Sequence, residues 1–237
     1  MLRAILKHMA QKKAWDREYR KPKLVTLSQE PHNDVRKFWK FLKRDSKIPA
    51  TELRVLDLGS GTGKHAFYFE GLGAHVTGIE ISAAALKVAS ERKTATGGTP
   101  VFLQGDIGKK YPFEDESFDI VLDILSSNSL FESERKTYLE ETWRVLKENG
   151  WFFVKILCKD GDKNAQTLLA ANPGKEKNTY TIPEMHLTEH VFARKDFERT
   201  YGAFFTIRKL EKNSSYTLFN KRRYKRNFWV AYCQKKA

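Results

Sequence analysis

The sequence predicts an α/β fold, a mostly parallel sheet with helices on both faces. Between Arg54 and Lys159, short apolar runs bounded by turn residues alternate with segments of helical spacing, the signature of strand–helix–strand units. The 237 residues show no composition break, so one buried core and a single domain suffice.

The predicted strands are Val55 to Leu58, His75 to Ile79, Val101 to Leu103, Phe118 to Ile124 and Trp151 to Leu157. Helical spacing separates them at Lys64 to Leu72, Ser82 to Lys93 and Glu132 to Lys147, the last followed by Asn149-Gly150 as a helix stop. Ahead of the sheet, the Met1 to Lys13 segment places Leu2, Ile5, Leu6 and Met9 on one helical face. Its basic residues loosely resemble a mitochondrial presequence. Trp15, Asp16, Glu18 and Tyr19 continue it as an ordinary amphipathic helix of mixed charge, the preferred reading. Pro31 to Lys43, with Phe38, Trp39 and Phe41, is a second helix. Beyond Lys159, Gly161 to Asn172 reads as a helix, Lys175 to Val191 as a long polar connection and Phe192 to Tyr201 as a helix. Ala203 to Leu210 and Asn227 to Cys233 are the final strands, joined by a basic loop.

No run of 18 apolar residues occurs, so a membrane-spanning helix is excluded, and no membrane partner is expected. Cys158 and Cys233 lie far apart without CxxC or His pairing. Neither a disulfide framework nor a metal site is therefore indicated, and a cytoplasmic location fits. The net charge of +14 belongs to the ends: Arg3 to Lys23 carries +6 and Arg208 to Lys236 carries +9, leaving the middle near −1.

Function is concentrated where the first strand runs through Asp57-Leu58-Gly59-Ser60-Gly61-Thr62-Gly63 directly into a helix. Three glycines there let backbone turn tightly and pass close to a ligand at exposed helix N–H groups. Seventeen residues further, Glu80 ends the second strand, where a carboxylate can accept hydrogen bonds from both ribose hydroxyls. This spacing alone serves a dinucleotide equally well.

The details resemble the class I S-adenosylmethionine (SAM)-dependent methyltransferase family over residues 50 to 160. Asp57 to Gly63 is similar to that family's first motif, Glu80 to its ribose acid and Gly105-Asp106-Ile107 to its adenine contact. Tyr111-Pro112-Phe113 through Ser117-Phe118-Asp119-Ile120-Val121 is similar to its approach to the fourth strand. Trp15 and Tyr19 resemble the N-terminal lid of small-molecule members of the tellurite-resistance and thiopurine types. The resemblance implies a Rossmann-like, seven-stranded sheet with an antiparallel last strand. It implies one methyltransferase domain over 1–237, comprising a helical lid over 1–48, a SAM-binding core over 49–160 and a substrate-side insertion with the final strands over 161–237. It further implies that Gly59 and Gly61 backbone lies against the methionine moiety, with Ser60 and Gly63 in the same cofactor-binding turn, and that Glu80 binds the ribose. Asp106 would hold the adenine amine between Ile81 and Ile107, and Tyr19 would close over the cofactor. Asp57 beside the glycines suits the donor's ammonium and discourages phosphate.

Ligands of open α/β sheets sit beyond the carboxyl ends of the strands, so the acceptor should meet Asp123, Ser126, Ser127, Asn128 and Ser129, then Lys155, Lys159 and Asp160. Asp123 is the first choice to orient or deprotonate the acceptor; capping a turn, or contacting the donor's amino group, is its equal alternative. The segment Asp123-Ile124-Leu125-Ser126 lacks the prolines and aromatic of nucleobase amino methyltransferases, and Cys158 lacks the flanks of a cytosine C5 nucleophile, so it reads as a small buried residue. His186-Leu187-Thr188-Glu189-His190 has the H-x-x-E-H spacing of a zinc protease. The favoured readings make Thr188 a helix cap with exposed histidines, or let the connection lend Glu184 or Glu189 to the acceptor. The expected acceptor is a small or medium-sized molecule, an anionic one included. Two alternatives stand beside it: a nucleic acid held by Lys221-Arg222-Arg223-Tyr224-Lys225-Arg226, and a SAM-binding protein without catalysis.

Overall fold

The computed structural model describes residues 2–24, 28–45 and 49–236, with side chains described from Gln11 onward apart from Asp45. The face of Leu2, Ile5, Leu6 and Met9 lies outside the described side chains. Strands are β1 (Arg54–Leu58), β2 (His75–Glu80), β3 (Val101–Gln104), β4 (Phe118–Ile124), β5 (Leu146–Leu157), β6 (Thr179–Ile182), β7 (Leu187–His190), β8 (Phe205–Phe219) and β9 (Arg222–Lys235). Helices are α1 (Leu2–Arg20), α2 (Asn33–Asp45), α3 (Lys64–Glu70), α4 (Ala83–Thr96), α5 (Glu132–Val145), α6 (Lys163–Ala171) and α7 (Arg194–Gly202).

Among the described residues, seven strands form one sheet in the order β3-β2-β1-β4-β5-β9-β8. Strands β1 to β5 pair in parallel, and β9 runs antiparallel between β5 and β8. The antiparallel last strand is thus as expected. Strand side chains alternate between two buried faces. Leu56, Leu58, Val121, Phe152 and Val154 join a core that includes Tyr138, Phe197 and Tyr201 from α5 and α7. Val55, Ile120, Leu122 and Phe153 join Phe38, Trp39, Leu42 and Phe69 from α2 and α3 on the other face.

Three regions depart from the sequence reading. Helix α5 stops at Val145, and Leu146 already pairs with Phe118, so Lys147 to Gly150 form a bulge in β5 with Asn149 at φ 59; the apparent helix stop is a turn inside a strand. The 175–191 connection contains the β6–β7 hairpin, whose Tyr180, Ile182 and Leu187 build a small third core with Ala165 and Phe228. The basic loop is a tight turn at Asn220-Lys221, φ 48 and 64, closing a long β8–β9 hairpin. Both turn residues at positive φ give the twist that hairpins prefer. Pairing with β5 ends at Phe228, so the hairpin beyond Asn227 projects past the carboxyl end of the sheet.

Candidate functional site

Gly59, Gly61 and Gly63 all have positive φ, which side chains rarely adopt. The first two also make room: a Cβ on Gly59 would overlap the Ser126 side chain, and one on Gly61 would stand 2.5 Å from the Tyr19 hydroxyl. Gly63 faces away, toward the Phe102 and Phe67 rings, and serves the turn into α3. Ser60 N donates to Ile79 O at 3.0 Å, tying the turn to β2.

Glu80 is buried at the end of β2. Its Oε2 accepts from Gly61 N at 2.9 Å and its Oε1 from Ser82 N at 2.7 Å. Each oxygen keeps a lone pair, so the carboxylate is oriented and can still accept from a ribose. Burial pushes its pKa up, and the Ser82 and Gly61 N–H groups pull it down. Asp57 lies beneath the turn, off the cavity wall. Its Oδ2 has no hydrogen-bond partner among the described residues. Burial, then Glu80 and Asp123, push its pKa up to about 7. Two acids held this way under a glycine turn favour a cation and, once ionised, disfavour phosphate, which fits the ammonium and sulfonium of SAM better than a pyrophosphate.

Helix α1 closes the site. Asp16 Oδ1 accepts from Ser82 Oγ at 2.7 Å and from Ala84 N at 3.1 Å at the start of α4, and Gln11 Nε2 donates to Ser129 O. Gln11, Trp15 and Tyr19, spaced by four on α1, all line a cavity of about 370 Å³. Gln11 was missed by sequence reasoning although that spacing marks the face.

The same cavity gathers Gly59, Ser60, Gly61, Glu80, Ile81, Asp106, Ile107, Ser126 and Asn128. Other expected residues lie elsewhere. Asp123 is buried behind the wall, with Oδ1 accepting from Ser126 N at 2.9 Å and Oδ2 from Tyr138 OH at 2.6 Å. It holds the Ser126 turn and does not reach the cavity, which is the turn-capping alternative. Ser127 is buried in that turn, outside the wall. Lys159 Nζ donates to Asn178 Oδ1 at 2.7 Å and Asp160 Oδ2 accepts from Arg194 N at 2.9 Å, so both brace loops away from the cavity. Beyond Leu157 the chain turns out of the sheet to meet Phe192, which carries them off.

Lys155 and Glu189, both expected near the acceptor, line this cavity beside residues that no local motif marks. Lys155 Nζ pairs with Asp34 Oδ2 at 2.8 Å. Arg226, the last residue of the basic run, is buried, with Nε on Asp162 Oδ2 at 3.0 Å and Nη2 on Tyr180 OH at 3.0 Å. Tyr180 OH donates to Glu189 Oε2 at 2.5 Å, and Glu189, pushed up by burial, lines the cavity. His32 and His65 line it too; burial lowers His32 to about 3, so its imidazole is neutral.

Thr188 lies on a strand and caps no helix, and His190 is buried against Phe192. Neighbours on a strand point to opposite faces, so Glu189 and His190 cannot share a ligand. Glu184 is exposed and off the wall. Cys158 is buried, its thiol pushed up to about 11, which suits packing and not attack.

Fold and site together define an α/β protein of the Rossmann-like kind, with a glycine turn and a buried acid at the carboxyl end of its sheet. Residues 56–154 match the family described as "Methyltransferase domain", and over that stretch the chain is similar to SAM-dependent methyltransferases. A probable phthiotriol/phenolphthiotriol dimycocerosates methyltransferase 2 of Mycobacterium ulcerans is 38% identical over 101 residues, 42% of this chain and 37% of that one. A demethylmenaquinone methyltransferase of Clavibacter sepedonicus is 31% identical over 112 residues, 47% of this chain and 44% of that one. The matches thus span less than half the length of these relatives. A SAM-dependent methyltransferase structure from Methanosarcina mazei superposes with a TM-score of 0.71 at 22% identity, over 82% of this chain and 96% of that one; it shares the fold. Among the described residues no helix is long and apolar enough to cross a membrane.

Proposed function

We propose that the protein transfers a methyl group from SAM to a small or medium-sized, largely apolar acceptor that carries an anionic or hydrogen-bonding group. The cavity carries this reading. Trp15, Leu125, Leu157 and Phe228 supply apolar wall, and the Lys155–Asp34 and Arg226–Asp162 pairs bring polar side chains to it. The whole cavity, walled on one side by α1 and shared by donor and acceptor, is about 370 Å³, which limits the acceptor to a small molecule or a small group. Two relatives are named for a lipid and a quinone acceptor, which supports the apolar character.

SAM supplies a methyl group already activated by the sulfonium charge, so the chain has to align the nucleophile and remove its proton where it carries one. Glu80 and Asp106 fix the nucleoside end, Tyr19 and Trp15 exclude water, and the Ser126–Ser129 turn, held by Asp123, presents Asn128 to the acceptor. Asn128 Oδ1 accepts from Leu157 N at 3.0 Å, while Nδ2 has no partner among the described residues and can donate to an acceptor oxygen. Glu189 is the carboxylate placed to take a proton. The test measures S-adenosylhomocysteine formation with SAM and a panel of hydroxylated aromatics and quinols, with and without a carboxylate, against RNA. Turnover of the aromatics supports the reading. Turnover of RNA alone transfers it to nucleic acid, and SAM binding without product from any acceptor leaves a binding protein.

A further inference from the structure

We propose that the tip of the β8–β9 hairpin is a docking surface for an anionic lipid bilayer. In an antiparallel ladder, directly paired residues share a face, and the pairs Tyr216 with Lys225 and Leu218 with Arg223 therefore lie on the same side. That side is open to solvent: Tyr216 is 68% and Leu218 41% exposed, among the few large apolar side chains so exposed. An aromatic and an aliphatic residue between two cations is the composition of a lipid headgroup boundary, where tyrosine keeps its hydroxyl wet and its ring in the acyl margin.

The exposed charge of the hairpin tip itself has one sign. Lys221, Arg222, Arg223 and Lys225 are exposed and in no ion pair among the described residues, and no acid occurs after Glu211 in the sequence. Asn220 N donates to Lys23 O at 3.1 Å, which brings the exposed Lys21 and Lys23 beside the tip. A one-signed basic rim around exposed apolar side chains complements an anionic bilayer; nucleic acid would use the charges and leave Leu218 without a role. Tyr216 and Leu218 also border the mouth of the cavity, so a docked hairpin turns that mouth toward the bilayer. The absence of a spanning segment bears on insertion and not on such a surface contact, and binding here does not depend on which acceptor is methylated.

The test is co-sedimentation of the full chain, without donor or acceptor, with vesicles of phosphatidylcholine alone or mixed in equal parts with phosphatidylglycerol. Binding is expected to the mixed vesicles only, and to weaken with salt. The variant K221Q/R222Q/R223Q/K225Q should lose on the order of several hundredfold in partitioning, at about fivefold per cation near the surface. Y216S/L218S, in which the charges remain, should also lose on the order of tenfold or more, and circular dichroism of both variants reports that the fold is kept. No binding to mixed vesicles overturns the proposal. So does binding that Y216S/L218S leaves unchanged, which reduces the contact to charge attraction alone, or tight single-stranded RNA binding that displaces the vesicles, which assigns the tip to nucleic acid. Concentration-dependent dimerisation that buries Tyr216 would assign it to a second copy.

Discussion

Replacing Asp57 by Asn removes a carboxyl that the fold holds under strong electrostatic stress. The group ordinarily ionises near 3.8 and is pushed to about 7 by burial, then by Glu80 and Asp123. Between those values the folded protein keeps a proton that the unfolded chain has released. The stability linked to this group is therefore complete below the ordinary value and lost as pH rises through the folded one. The displacement from 3.8 to about 7 corresponds to about 4 kcal/mol once the carboxylate is ionised, an upper figure because a buried site relaxes around a new charge. His32, lowered from 6.5 to about 3, acts in the opposite sense, raising stability as pH climbs, and does so in both proteins. Urea unfolding of ligand-free wild type and Asp57→Asn between about pH 5 and about pH 8 isolates the difference. Over that window the variant should gain on wild type as pH rises, by up to about 3 kcal/mol, the part of the linkage that lies above about pH 5, while its affinity for SAM falls and loses its pH dependence. Wild-type affinity should instead increase toward pH 7, because a bound cation favours the ionised form. Parallel stability curves would refute the argument, as would a variant that binds SAM as tightly as wild type.

Other perturbations follow from single contacts. Glu80→Ala strips the acceptor from the Gly61 and Ser82 N–H groups; calorimetry should show SAM affinity lowered by at least about tenfold, with NAD bound by neither protein. Gly61→Ala places a Cβ at φ +56 against the Tyr19 hydroxyl; a loss of about 1–3 kcal/mol and weaker SAM binding are expected from denaturation and calorimetry. Tyr138→Phe removes the 2.6 Å bond to Asp123 Oδ2 and should cost about 1–3 kcal/mol in unfolding free energy while SAM affinity is kept. A large fall in kcat at unchanged stability would instead return Asp123 to the chemistry.

The sequence alone determined the donor half of this protein. Strand β1, its glycine turn, helix α3 and Glu80 follow one another closely, and local rules of turn conformation and alternating periodicity fix where they point. The strand spans of the core were legible for the same reason, whereas the antiparallel last strand was implied by the family resemblance. The acceptor half was decided by tertiary structure. Asp123 reads as a free strand-end carboxylate until Tyr138, from a helix downstream, is seen to bind it. Arg226 reads as part of a solvated basic run until Asp162 and Tyr180 draw it inside, while its neighbours 221–225 stay at the surface. His32, Lys155 and Glu189 come from three distant segments to one wall, and no local pattern records their meeting. Burial and charge pairing between remote residues are properties of the packed chain, so they set which polar side chains face the cavity and which are used up behind it.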